Sequence, residues 1–112
     1  DGTLYAYLER KGPYAVMVGL ARTDRYVASL VAFPRERLLF FATEKGPAQV
    51  RLGLNQKAKV ARAAPDGQRV LVSHRVPESS LEVLRDAGLD PVYGCGGAIA
   101  LAPLIPGFRG GL

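Results

Sequence analysis

Leu38–Ala61, LLFFATEKGPAQVRLGLNQKAKVA, is the stretch on which the reading of this chain turns. It opens as an apolar strand, Leu38 to Thr43, and breaks at Glu44-Lys45-Gly46-Pro47. From Ala48 to Ala63 the composition predicts a helix carrying Gln49, Arg51, Asn55, Lys57 and Lys59. Gly53 weakens that helix by about 1 kcal/mol relative to Ala, so a break there is part of the expectation. A strand that ends in Thr and turns through Gly-Pro into a basic helix start can offer backbone N–H groups, a hydroxyl and cations to an anion. The competing reading is an ordinary strand–turn–helix joint with a solvated basic face.

Upstream, residues 3–11, TLYAYLERK, read as a short helix capped by Thr3, with Leu4, Tyr7 and Leu8 on one face. Tyr14 to Ala21 is a continuous apolar run of strand length, expected to be buried on both faces, and Tyr26 to Phe33 is a second strand. The linking tetrapeptides RTDR and Pro34-Arg35-Glu36-Arg37 are short and polar. Three strands joined by such turns predict an antiparallel meander. Downstream, Pro65-Asp66-Gly67 signals a turn and Gln68 to Val76 a strand with His74 on one face. Pro77 to Gly88 has the marks of a helix: Pro near N1, Glu78 early, an apolar set at Leu81, Val83 and Leu84, and Gly88 as C-cap. Pro91 to Cys95 reads as a short strand, Gly94 to Gly97 as a turn, Ile99 to Leu104 as a last strand and Ile105 to Leu112 as a loose Gly-rich tail. The expected fold class is mainly β (α+β): a small antiparallel barrel with two or three short helices, in a single domain over residues 1–112.

The chain has 112 residues, 48% hydrophobic and 22% charged, which is the composition of a globular domain with room for one core. A net charge of +5 favours anionic partners, either a small anionic cofactor or nucleic acid. The four Phe and five Tyr sit mostly in apolar runs rather than among basic residues, so nucleic acid ranks second. Cys95 and His74 are single residues of their kinds, which excludes an internal disulfide and a structural zinc site. No apolar run reaches the roughly 18 residues that span a bilayer. A cytosolic location is the simplest fit.

The order of helix, three meander strands and basic helix start resembles the pyridoxamine-phosphate-oxidase-like family of FMN-binding split β-barrels. The likeness lies in LLFFAT-EKG-PAQVRLGLNQKAKVA, with support from YVASLVAF and TLYAYLERKGPYAVMV. Thr43 falls on the family's strand-end hydroxyl, Gly46 on its turn, Arg51 on its helix arginine and Val60-Ala61 on the next strand. The family's basic residue at the helix start falls on Gln49, and Lys45 can take over its charge. The resemblance implies a homodimer binding FMN, with Thr43, Lys45, Gln49 and Arg51 at the phosphate and amides near Val31 to Phe33 facing the isoalloxazine. A flavin-dependent oxidoreductase is the activity it implies, without a substrate.

A second reading comes from Gly53-Leu54-Asn55-Gln56-Lys57-Ala58-Lys59, which is similar to the signature of kink-turn RNA-binding ribosomal proteins. The remaining candidates read more simply. His74 lacks a placed partner such as Asp66 or Glu78 and reads as a structural histidine. Cys95 reads as a small buried thiol, and Asp86 with Asp90 as solvated helix-end charges.

Overall fold

The computed structural model describes Leu8 and residues 12–94 and 96–112. The helix expected over residues 3–11 lies outside the described residues apart from Leu8, and so does Cys95. The chain divides into two compact units, residues 15–62 and residues 63–112 together with the segment before Ala15.

Residues 15–62 form a five-stranded antiparallel sheet in sequence order: β1 (Val16–Arg22), β2 (Arg25–Phe33), β3 (Leu38–Thr43), β4 (Gln49–Leu52) and β5 (Lys59–Val60). The meander expected for the first three strands is formed, because each turn is too short for anything but antiparallel return. Register sorts the side chains onto two faces. Val18, Leu30, Phe41 and Gln49 stand opposite one another on one face, and Val31, Phe40 and Val50 on the other. Phe33, Leu38 and Phe40 are buried, and the rings of Phe33 and Phe40 meet edge-to-face at 5.8 Å. At the far end of β1 the register shifts between Leu20 and Ala21, leaving Val27 unpaired with β1. The Val27 carbonyl instead accepts from the Glu44 amide at 3.2 Å.

The helix expected over Ala48 to Ala63 is not formed; β4, a bend and β5 stand in its place. Gln, Arg, Ala and Lys favour helix intrinsically, but the preference is small beside a ladder offered by a neighbouring strand. Leu39 pairs with Arg51 and Phe41 with Gln49, and the Gly53 amide extends the ladder to the Arg37 carbonyl at 2.7 Å. Gly53 takes φ +70°, which ends the strand in a conformation that costs other residues about 1–2 kcal/mol.

The second unit is a three-stranded parallel sheet of order β7-β6-β8, made of β6 (Arg69–Val72), β7 (Asp90–Tyr93) and β8 (Phe108–Gly111). Helix α1 (Glu78–Asp86) is the crossover between β6 and β7, as a parallel pair requires. It buries Leu81, which with Val70 and Val72 forms a cluster packed by Val76, Leu84 and Leu89. Val83, the remaining member of the expected apolar set, is exposed. Gly88 closes the helix at φ +75°: its amide donates to the Arg85 carbonyl and the Leu89 amide to the Leu84 carbonyl, the Schellman pattern. Glu78 and Arg85 join at 2.7 Å across the exposed face, and that bond raises the Arg85 pKa.

Two expectations fail in this unit. Ile99 to Leu104, expected as a strand, is helix α2 (Gly97–Leu101) followed by a 3-10 turn (Ala102–Leu104). Ala98 and Ala102, one helical turn apart, are both fully buried, so the run is folded by period 3.6 rather than 2. The tail expected to be loose is strand β8, anchored by buried Phe108 under the Arg69 guanidinium at 4.2 Å. Beyond it the Leu112 amide donates to the Leu71 carbonyl at 2.8 Å.

The chain is therefore α+β and mainly β, but the barrel expectation is corrected. Among the described residues neither sheet closes on itself, and the strands of the second unit run parallel. A closed barrel needs every strand paired on both sides, whereas β1, β5, β7 and β8 are all outer strands. No described helix is long and apolar enough to cross a membrane.

Candidate functional site at the turn end of the antiparallel sheet

The four residues anticipated at an anion site do not converge. Thr43 ends β3 and is exposed, and Lys45 lies in the exposed turn beyond it. Gln49 and Arg51 share a face of β4, but Arg51 stands opposite Leu39, four residues along β3 from Thr43. At the rise of a strand that is a backbone separation of about 13 Å, and Arg51 lines a cavity with Leu39 and Gly53 that Thr43 does not line. The amides near Val31 to Phe33 belong to β2, which is paired by β1 on one side and β3 on the other, so they are not free for a flavin ring. Gly53–Lys59 bends between β4 and β5 and supplies no helix start for the kink-turn reading.

Arg51 instead shares a cavity with Arg37, which the sequence marks only as part of a turn. Pro34–Arg37 is a tight turn closed by the Arg37 amide on the Pro34 carbonyl at 3.3 Å. Arg37 holds φ +56°, unusual for a residue other than glycine. That backbone brings its guanidinium over Gly53, where an added Cβ would lie 3.8 Å from Arg37 Nη2. Arg37 and Arg51 together line a cavity of about 360 Å³ whose remaining walls include Ala32, Phe33, Pro34, Leu38, Leu39 and Leu54. The signal that could have found Arg37 is the four-residue turn, which forces its last residue into a left-handed conformation.

The polar atoms here are unsatisfied. Arg51 Nε is buried without a hydrogen-bond partner, and so is Glu36 Oε2, which faces a neighbouring, more polar depression beside Asn55 and Gln56. A buried donor left unpaired costs about 1–3 kcal/mol, and more when charged. No residue lining the arginine cavity is a nucleophile or a general base, so its chemistry is binding.

Elsewhere, His74 lies beyond the end of β6 rather than on its face, and its ring stacks on Tyr93 at 4.8 Å with planes 7° apart. Asp86 and Asp90 are exposed. Among the described residues no group of three His, Cys, Asp or Glu side chains could hold a metal ion.

No family model matches this chain, and no curated protein does. Among solved structures, CysQ from Bacteroides thetaiotaomicron, a bacterial member of the inositol monophosphatase family, superposes with a TM-score of 0.54. The match covers 92% of this chain and 46% of that one at 19% sequence identity, so the chain spans less than half the length of CysQ. At this identity the likeness is one of fold. It overturns the resemblance to the pyridoxamine-phosphate-oxidase-like family, and the flavoprotein and oxidoreductase descriptions that rested on it are withdrawn. The physical reason lies in two elements: the helix that carried the likeness after Thr43 is strand β4, and the last strands form a parallel sheet.

Proposed function

We propose that this chain binds small phosphate monoesters for release of their phosphate, the chemistry that the name inositol monophosphatase denotes. The observation that carries the reading is the fold likeness over 92% of the chain to a member of that family. The charge balance agrees with it: a net charge of +5 raises the local concentration of anionic esters.

The test is calorimetric titration of the 112-residue chain with myo-inositol 1-phosphate and with unphosphorylated myo-inositol. The ester is expected to bind and the free polyol not to, with affinity falling as salt is raised. Inorganic phosphate appearing in the same samples marks turnover. Equal binding of ester and polyol, or binding of neither, overturns the reading.

A further inference from the structure

We infer that the cavity between the Pro34–Arg37 turn and β4 is a binding site for an organic anion with an apolar body, its carboxylate or phosphate held by Arg51 and Arg37. The site is separate from the phosphate-monoester reading, because its walls offer nothing for a polyol to bond. Ala32, Phe33, Pro34, Leu38, Leu39 and Leu54 are apolar, and walls of this kind favour a hydrocarbon body over a polyol. At about 360 Å³ it falls within the range of about 300–1,000 Å³ usual for ligand pockets.

Among the described residues the charge that lines it has no internal use. Neither the Arg37 nor the Arg51 guanidinium has a hydrogen-bond or ion-pair partner among the described residues. The nearest candidate acid, Glu36, keeps Oε2 buried and unbonded in the adjoining depression, so it has not neutralised either arginine. Arg51 Nε is shut off from water, and an oxyanion seated across Nε and Nη, once the guanidinium turns toward the cavity, supplies the missing acceptor. Two parallel N–H···O bonds of this kind are the strong, orienting contacts that arginine makes with carboxylate and phosphate. Arg37 adds a second cation, and its left-handed backbone is the sort of local strain that collects at ligand clamps.

The experiment is an amide-resolved NMR titration of the full chain with sodium hexanoate, with hexanol and with inorganic phosphate. Hexanoate is expected to shift the amides of Arg37, Gly53 and Leu54 saturably. Hexanol, which lacks the charge, and phosphate, which lacks the chain, should each bind on the order of tenfold more weakly. Arg51→Met should lose about tenfold in hexanoate affinity, while Arg51→Lys keeps part of it as a point charge without the fork. Arg22→Met, on β1, should change nothing. If Arg51→Met loses its dispersed spectrum, Arg37→Met and Arg51→Lys carry the same comparison. Hexanol binding as well as hexanoate overturns the role of the arginines, and phosphate binding as well as hexanoate overturns the role of the walls. Full hexanoate affinity in folded Arg51→Met, or no saturable shift at these amides, overturns the site.

Discussion

Gly67 packs so closely against the main chain of Gly107 that a Cβ on Gly67 would overlap the Gly107 carbonyl. This contact lets the segment entering β6 pass the turn entering β8, so that the two strands can pair in parallel. The Arg109 side chain fastens the junction by donating from Nε to the Gly67 carbonyl at 3.0 Å.

Gly67→Ala is therefore expected to force the two backbones apart and to lower stability by about 3 kcal/mol, the upper end of overpacking costs. Gly46→Ala is the control, because an added Cβ there meets nothing within 4 Å. It should change stability by less than about 0.5 kcal/mol. Urea midpoints of the two variants check the pair, and equal midpoints would show that the junction yields without cost.

The turn between β1 and β2 has two residues, Thr23 and Asp24, between the paired Arg22 and Arg25. Thr23 holds φ +58°, a region that a β-branched residue rarely adopts. Two-residue hairpins of this kind favour Gly at their first position. Thr23→Gly should therefore stabilise the protein by about 1 kcal/mol, less whatever the freer unfolded chain gains. A thermal scan that shows lower stability would mean that the Thr23 side chain makes up for its backbone.

How much of this was legible in the sequence follows from the range of the interactions. β1, β2 and β3 could be read because their pairing is local and their turns are short, so pattern and topology agree. Helix α1 could be read because Pro77, Leu81 and Gly88 mark its start, face and stop within a dozen residues. β4 could not: Gln49 to Leu52 is strand only because Leu39 and Phe41 stand beside it. β8 was hidden for the same reason, since Phe108 pairs with Arg69 across a long stretch of chain and its glycines look like slack. At the candidate site Arg51 was singled out, but on the wrong element and with Thr43 as companion. Arg37 was missed because its relevance comes from a backbone angle and not from a motif.

Arg51 is expected to cost stability in the protein without ligand. Its buried Nε lacks an acceptor, and a methionine of similar length would keep the packing while removing the donor. Arg51→Met should therefore raise the unfolding free energy by about 1 kcal/mol, toward the lower end of the penalty for an unpaired buried donor. Denaturant titration without added ligand measures it. A loss of stability would mean that the guanidinium is satisfied in solution, for example by ordered water.

Phe108 is the anchor of the last strand, 1% exposed and stacked under Arg69. Phe108→Ala should cost about 3–5 kcal/mol, the usual range for emptying a buried aromatic site. Hydrogen exchange should show the loss at the Leu112 and Ser73 amides, which bond the Leu71 and Leu112 carbonyls at 2.8 and 2.9 Å. If those amides stay protected, β8 is held by its ladder and not by its side chain.

β1, expected to be buried on both faces, is instead exposed along its whole length. Val16, Val18 and Leu20 stand on one face at 50–62% exposure, beside Leu30 of β2, and β1 is an outer strand with one backbone edge unpaired. Contiguous apolar surface of this kind takes up neutral dyes and drives association. A charge at one end shortens it without touching a buried contact. Leu20→Lys should therefore lower Nile red fluorescence and leave the unfolding free energy from urea titration within about 0.5 kcal/mol of the parent, the usual span for surface substitutions. The same substitution at buried Phe40, which packs on Phe33, should unfold the sheet and raise dye binding instead. A Leu20→Lys variant that also unfolds would show that the β1 face is covered in solution.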